Sequence, residues 1–196
     1  ALVIGNSAYK SSPLRNPVND ATDMAAKLRR LGFQVSLGKD WSRKEMRTAI
    51  RKFGKELKRG GVGLFYYAGH GMQIKGKNYL IPVGTDIQGE FEVEDEAVDA
   101  GLILRNMENA GNTMNMVFLD ACRNNPFTRS FRSSFRGLAQ MDAPSGSLIV
   151  YSTAPGSIAA DGSGRNGIFT KNLLSHLDTP NLEVGQMLRR VRVSVR

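Results

Sequence analysis

The sequence predicts an α/β fold in which a mainly parallel sheet is covered by helices on both faces. Segments with strand-like patterns alternate along the chain with segments whose apolar residues recur at helical spacing. Val62–Tyr67 is an apolar, aromatic-rich segment, and Met114–Leu119 is apolar apart from Asn115. Both are typical of central strands buried on both sides. The chain has 196 residues, 41% of them hydrophobic, which suits one domain of this kind.

The first part of the chain alternates strands and helices. Ala1–Ile4 is a short apolar run that ends at a Gly-Asn turn signal, and Phe33–Leu37 alternates like a strand. The helix predicted between them rests on five apolar residues at helical spacing: Ala21, Met24, Ala25, Leu28 and Leu31. Ser42–Glu45 has the pattern of a capping box and predicts the start of a second helix, which ends before Gly60.

The alternation continues to the end of the chain. The further predicted elements are a strand at Tyr79–Pro82, a helix carrying Leu102, Ile103 and Met107, strands at Met114–Leu119 and Leu148–Ser152, and helices over Phe169–Leu177 and from Leu182. Helical crossovers between the strands make the sheet parallel, and such sheets place their functional sites at the carboxyl ends of the strands.

Composition excludes several kinds of site. The single cysteine rules out an internal disulfide and a four-cysteine zinc site. No apolar run approaches the about 20 residues of a membrane span. The net charge of +9 attracts anionic partners in general. Because the chain opens directly on Ala1–Ile4, we interpret its beginning as trimmed; the location in the cell stays open, with a cytoplasmic one favoured.

His70 and Cys122 each follow a predicted buried strand, so the fold places them at the same edge of the sheet. A neighbouring imidazole can accept the thiol proton and so produce a nucleophilic thiolate. Acyl transfer also needs donors for the oxyanion. Gly71 has no side chain to block its N–H, and the N–H of Cys122 is a natural second donor.

The residues around this pair resemble a known family. Tyr66–Gly71, followed by Val117–Arg123, resembles the caspase-fold cysteine peptidases of peptidase family C14, and most of all the bacterial relatives of metacaspases and paracaspases. Further similar segments are Ala1–Asn6, Leu14–Ala21, Tyr151–Gly156 and Asn166–Thr170. The resemblance implies a caspase-like three-layer α/β/α sandwich, with His70 and Cys122 as the catalytic dyad and Gly71 and Cys122 as the oxyanion hole.

The resemblance also implies a specificity pocket. Metacaspases and paracaspases cleave after arginine or lysine and carry acidic residues in the pocket for that side chain. Asp20 and Asp120 match those acidic positions, and Asp161 is a candidate for a third wall. The residues alone leave other roles open, because Asp20 suits a helix cap and Asp120 suits a strand end that bonds nearby backbone.

By the same resemblance the chain divides into three parts. Residues 1–128 correspond to a large subunit, residues 129–145 to an arginine-rich linker loop, and residues 146–196 to a small subunit. We expect the family's last strand either to be missing from this sequence or to belong to a part outside it. Arg129, Arg132 and Arg136 are candidate sites of self-cleavage, since an arginine-specific peptidase would recognise them. The alternative is a solvated basic loop without a special role.

No cofactor is required by a peptidase of this kind, and no metal acts in its chemical step. Some metacaspases need calcium, and the acidic residues that would contribute here are Glu92, Glu94, Asp95, Glu96 and Asp99. The basic stretch Lys75–Lys77 stands where such enzymes have an acidic partner, which puts calcium in doubt. The alternative is that these acids favour the N-terminus of a helix.

We therefore expect a cysteine endopeptidase whose substrates are proteins or peptides with a basic residue before the cleaved bond. One alternative is a catalytically silent caspase-fold module for interaction or signalling. Another is a nucleic-acid-binding domain that uses the basic surface. Nucleic acid is not the expected partner, because the arginine-rich loop has no RNP-like or helix-turn-helix pattern. The oligomeric state stays open.

Overall fold

The computed structural model describes residues 1–122, 138–152 and 164–195, with the backbone alone for Cys122. These residues form seven strands and six α-helices. The strands are β1 (Leu2–Gly5), β2 (Ser36–Lys39), β3 (Val62–Ile74), β4 (Lys77–Leu80), β5 (Val98–Asp99), β6 (Met114–Cys122) and β7 (Ser147–Tyr151). The helices are α1 (Pro17–Arg30), α2 (Arg43–Leu57), α3 (Val93–Glu96), α4 (Ala100–Glu108), α5 (Ile168–His176) and α6 (Val184–Val195).

The sheet is mainly parallel, as the sequence predicts. Its parallel part has the order β2-β1-β3-β6-β7. β4 and β5 extend it as antiparallel strands beside the second half of β3. The predicted strand Phe33–Leu37 is shifted, because pairing with β1 begins at Ser36 and continues to Lys39.

Helices cover both faces of the sheet, which confirms the three-layer sandwich. Successive residues of β3 alternate between two apolar cores. Phe65 and Tyr67 lie in the core under α2 and α4, whereas Leu64 and Tyr66 lie in the core under α1, α5 and α6. The capping box predicted for α2 is present, since Ser42 and Glu45 bond each other's backbone N–H. In the described ranges no helix is long and apolar enough to cross a membrane.

β3 is longer than its sequence suggests, and this changes the setting of His70. The predicted strand ends at Tyr67, with His70 in the loop behind it, but β3 continues through Ile74. The sequence-based placement of His70 was therefore wrong, because pairing with β4 extends the strand. Gly69 makes the passage possible. Its φ is +154°, and a Cβ there would lie 2.6 Å from the Tyr67 hydroxyl and 2.7 Å from the Tyr9 hydroxyl.

Candidate active site

Backbone register brings His70 and Cys122 side by side. β3 and β6 run parallel, with His70 opposite Cys122 and Ala68 opposite Asp120. Neighbouring strands lie about 4.8 Å apart, so the two candidate catalytic residues lie on adjacent strands at the carboxyl end of β6. Asp120 lies two residues before Cys122 on that strand. Its side chain is on the same face of the sheet as the side chain of Phe118.

The ring of His70 is buried, with 2% of the residue exposed. Its Nε2 lies 2.7 Å from the carbonyl oxygen of Ser12. A carbonyl oxygen can only accept a hydrogen bond, so Nε2 carries a proton and donates a hydrogen bond to the Ser12 carbonyl oxygen. In the neutral imidazole the basic nitrogen is then Nδ1. One backbone carbonyl thus selects the tautomer in which Nδ1 can accept a proton.

Two tyrosines fix the backbone of His70. Its N–H donates to the hydroxyl of Tyr9 at 3.0 Å, and its carbonyl oxygen accepts from the hydroxyl of Tyr67 at 2.8 Å. The Tyr9 hydroxyl donates in turn to the carbonyl of Ile81 at 3.0 Å. The Tyr9 and His70 rings are 4.4 Å apart between centroids. Burial raises the pKa of Tyr9 far above its ordinary value, so its hydroxyl keeps the proton that these bonds require.

Asp20 and Asp120 meet at Gly167. The backbone N–H of Gly167 donates to Oδ1 of Asp20 at 3.0 Å. A Cβ on Gly167 would lie 3.2 Å from Oδ2 of Asp20 and 3.7 Å from Oδ2 of Asp120. Asp20 is buried, with 3% of the residue exposed. The structure therefore brings two carboxylates to one small space, from residues 100 positions apart in the sequence.

The helix-cap alternative for Asp20 was wrong. The N-cap of α1 is Asn16, and Asp20 lies inside the first turns of the helix. Its carboxylate instead accepts from Gly167, just before α5. Asp120 is not limited to nearby backbone either, because the Thr170 hydroxyl donates to its Oδ2 at 2.6 Å.

Sequence reasoning missed the roles of Gly167 and Thr170. Both lie in the segment Asn166–Thr170, which carries part of the family resemblance but no chemically distinctive residue. The Tyr66 hydroxyl lies 2.5 Å from that of Thr170. Burial raises the pKa of Tyr66 well above its ordinary value, and the charges of Asp120 and Asp20 raise it further.

The segment that enters α5 is anchored to α1. The guanidinium of Arg165 donates to both carboxylate oxygens of Asp23, at 2.9 and 3.0 Å. Asn166 donates to the same carboxylate, and Asn19 donates to the carbonyl of Arg165. Hydrogen bonding from Arg165 lowers the pKa of Asp23. These contacts hold Gly167 beside Asp20.

Gly71 has no room for a side chain. A Cβ there would lie 2.9 Å from the Cβ of Ala121 and 3.1 Å from a methyl carbon of Leu138. Leu138 is buried, and the next residue, Ala139, exchanges two hydrogen bonds with the side chain of Asn78 on β4. The backbone around this candidate oxyanion donor is therefore packed from β6 and from the segment at 138.

The remaining candidate residues fall into two groups. Asp161, Arg129, Arg132 and Arg136 lie outside the described residues. Of the candidate calcium ligands, Glu92 accepts from the N–H of Gln88, Glu94 accepts from the Tyr79 hydroxyl, and Asp99 caps α4 through the N–H of Gly101. Within residues 1–122, 138–152 and 164–195, no group of three or more His, Cys, Asp or Glu residues could hold a metal ion.

Comparison with known proteins agrees with this architecture. A family model described as the caspase domain, peptidase C14, matches residues 1–196. The chain is 32% identical over 181 residues to mucosa-associated lymphoid tissue lymphoma translocation protein 1 of Homo sapiens, and equally so to its Mus musculus homologue. Each match covers 90% of this chain and 21% of the relative, so the chain spans about a fifth of the relatives' length. The chain belongs to the caspase-domain family, peptidase C14.

Proposed function

We propose that this chain is a cysteine endopeptidase that cleaves peptide bonds after arginine or lysine. The observation that carries the proposal is that the carboxylates of Asp20 and Asp120 both lie beside Gly167. Asp120 is on β6, two residues before Cys122. Membership of the caspase-domain family supports the reaction type. The acidic pair supports the preference for a basic side chain.

The register of β3 and β6, with His70 opposite Cys122, supports the following reaction. Nδ1 of His70 accepts the proton of the Cys122 thiol, and the thiolate attacks the carbonyl carbon of the substrate. The N–H groups of Gly71 and Cys122 donate to the oxyanion that forms. As the C–N bond breaks, the protonated His70 gives its proton to the leaving amine, which leaves an acyl-enzyme. Water, deprotonated by His70, then hydrolyses the thioester and restores the thiol.

The acidic pair selects the side chain that precedes the cleaved bond. A guanidinium presents several N–H donors in one plane and can bind two carboxylates at once. Gly167 has no side chain at the point where a Cβ would lie 3.2 Å from Oδ2 of Asp20 and 3.7 Å from Oδ2 of Asp120, which supports this position as the binding place of such a group. An acidic substrate side chain would be repelled by the same pair.

Covalent labelling tests this function directly. A peptidyl-arginine chloromethyl ketone should alkylate Cys122, and mass spectrometry of the digested protein should locate the adduct. The matched peptidyl-aspartate reagent should react much more slowly. Labelling that is equal for the two reagents would reject the acidic pocket, and absence of labelling at Cys122 would reject the peptidase.

A further inference from the structure

Behind the acidic pair lies a buried chain of two hydroxyl groups that the cleavage chemistry does not use. Tyr66 and Thr170 are both fully buried. The Tyr66 hydroxyl lies 2.5 Å from the Thr170 hydroxyl, which lies 2.6 Å from Oδ2 of Asp120. These two hydroxyl groups therefore link the central strand β3, helix α5 and the carboxylate of Asp120 on β6.

The direction of these hydrogen bonds follows from the chemistry of the end groups. An ionised carboxylate only accepts, so the Thr170 hydroxyl donates its single proton to Asp120. That hydroxyl then has only its lone pairs for Tyr66, and the Tyr66 hydroxyl must be the donor. Burial and the nearby negative charges keep Tyr66 protonated, which is consistent with this direction.

The arrangement addresses a problem that two close carboxylates create. Asp20 and Asp120 face the same small space, and like charges favour protonation of one of them. A hydrogen bond donated to a carboxylate stabilises its charged form and fixes its orientation. Asp20 receives such a bond from the backbone of Gly167, whereas Asp120 receives one from the side chain of Thr170.

We propose that Thr170 and Tyr66 are positioning residues for specificity, which hold Asp120 charged and oriented so that the pocket distinguishes a cationic side chain from a neutral one of the same shape. This inference rests on the proposed function, since it names what sets the selectivity of the same pocket. Neither residue contacts the reacting atoms in this account.

Substitutions at Thr170 test the proposal with a built-in rescue. Thr170→Val removes the hydroxyl and keeps the shape, whereas Thr170→Ser keeps the hydroxyl. The substrates are two fluorogenic peptides that differ only in arginine or citrulline, its uncharged analogue, before the cleaved bond. Thr170→Val should lower the ratio of kcat/KM for arginine over citrulline by roughly tenfold to a hundredfold, the usual worth of a hydrogen bond to a charged group. Thr170→Ser should stay within a few-fold of the unmodified protein.

The matched control is Thr22→Val. Thr22 lies on α1, and its hydroxyl donates to the backbone carbonyl of Val18 rather than to a carboxylate. Its removal should leave the ratio unchanged. An unchanged ratio in folded Thr170→Val would overturn the proposal, as would a loss in Thr170→Ser as large as that in Thr170→Val. If Thr170→Val does not fold, Tyr66→Phe decides: a lowered ratio supports the proposal, and an unmodified ratio overturns it.

A binding measurement separates this inference from the proposed function. The protein carrying Cys122→Ala is titrated with L-argininamide and with L-citrullinamide by calorimetry, with and without Thr170→Val. If the unmodified chain cleaves no peptide, the proposed function fails, but preferential binding of L-argininamide that is lost with Thr170→Val still supports the positioning role. Equal binding of the two amides, or a preference that Thr170→Val leaves intact, overturns it.

Discussion

His70 shows how one residue acquires its properties from its immediate neighbours. The Ser12 carbonyl fixes the proton on Nε2, and the Tyr9 and Tyr67 hydroxyls hold the backbone on either side. A free imidazole samples both tautomers, whereas this one presents Nδ1 as its base. The sequence pattern predicts that a histidine lies at the sheet edge, but not which nitrogen is basic, because Ser12 is 58 residues away.

Removal of either member of the candidate dyad should abolish peptidolysis. Cys122→Ala lacks the nucleophile, and His70→Ala lacks the base, so each should lower kcat by at least about 10³-fold. The Cys122→Ala protein should stay folded, because the change removes one small group. Circular dichroism confirms the fold, and fluorogenic peptides measure the rate. Substantial turnover by folded Cys122→Ala would contradict the mechanism.

Gly167→Ala should close the acidic pocket without disturbing the backbone. Gly167 has φ −58° and ψ 152°, which alanine adopts without strain. The added methyl group would contact Asp20 and Asp120 and fill the space that a guanidinium needs. We expect KM for arginine peptides to rise at least about tenfold. Thermal stability should fall modestly, because the new Cβ would lie only 3.2 Å from Oδ2 of the buried Asp20. An unaltered KM in the folded variant would place the basic side chain elsewhere.

Asp120→Asn and Asp20→Asn should each cost activity on arginine peptides. Each change removes one charge and preserves shape, so one charge-assisted contact worth about 1.5–3 kcal/mol is lost. Both variants should still cleave aspartate peptides more slowly than arginine peptides, but by a smaller factor than the unmodified protein. Steady-state kinetics with arginine, lysine and aspartate substrates measure the changes. Full arginine activity in both variants would contradict the assignment of the pocket.

At the scale of elements, β3 differs most from its prediction. Hydrophobicity alone indicates a strand over Val62–Tyr67, since Gly69 and Gly71 interrupt the pattern. The strand continues because β6 pairs with it as far as His70 and β4 pairs with it from Gly71 onward. Long-range pairing of this kind cannot be read from a local window, whereas the capping box of α2 is local and was predicted correctly.

The contact between α1 and the segment before α5 should respond to loss of its ion pair. Asp23→Ala removes the carboxylate that binds Arg165 and Asn166. Because both side chains of the ion pair are partly exposed, the free energy of unfolding should fall by about 1 kcal/mol or less. Amide hydrogen exchange at residues 165–168 should accelerate more than exchange in α6. An equal change in the exchange rates of residues 165–168 and α6 would show that these contacts do not anchor the segment.

The same pair has a defined pH dependence. Hydrogen bonding from Arg165 lowers the pKa of Asp23 in the folded protein. Its contribution to stability is therefore complete above the ordinary value near 3.9 and is lost as the pH falls through the lowered pKa. In acid unfolding experiments the free energies of unfolding of the Asp23→Ala protein and the unmodified protein should become equal at low pH. A difference that persists at the lowest pH would contradict an ionic contribution.

At the scale of the whole molecule, buried tyrosines should limit stability in alkali. Burial raises the pKa of Tyr9 and Tyr66, and burial with the Glu94 contact raises the pKa of Tyr79 to about 12. Above the unfolded value near 10 the unfolded chain releases protons that the folded chain keeps. Stability should then fall by up to about 1.4 kcal/mol per pH unit for each tyrosine. Denaturant titrations from pH 9 to 11 measure the slope, which Tyr9→Phe should make shallower; an unchanged slope contradicts this.

Self-cleavage remains a prediction for the linker loop. A cut after Arg129, Arg132 or Arg136 should give two pieces that stay associated, because β6 of the first pairs with β7 of the second. The hydrogen bonds between Asn78 and Ala139 would also join the second piece to β4. Mass spectrometry after incubation of the active protein, beside Cys122→Ala, identifies any cut. An intact chain under conditions of peptide turnover would show that processing is not required.

The overall architecture followed from the sequence because alternating patterns and strand-end motifs are local. The candidate pocket could be predicted from the sequence only in part. Asp20 and Asp120 were found through their resemblance to a family, but their meeting point at Gly167 depends on how α5 docks against α1 and β6. That docking joins residues 147 positions apart, and no local pattern marks it.

The proposed function can be tested by the rate of hydrolysis of three fluorogenic peptides that differ only in arginine, lysine or aspartate before the cleaved bond. We expect turnover of the arginine and lysine peptides by the unmodified chain and none by Cys122→Ala. We also expect kcat/KM for the aspartate peptide to be lower by at least about 10²-fold, since the acidic pocket repels that side chain. Preference for the aspartate peptide, or turnover that survives Cys122→Ala, would contradict the proposed function.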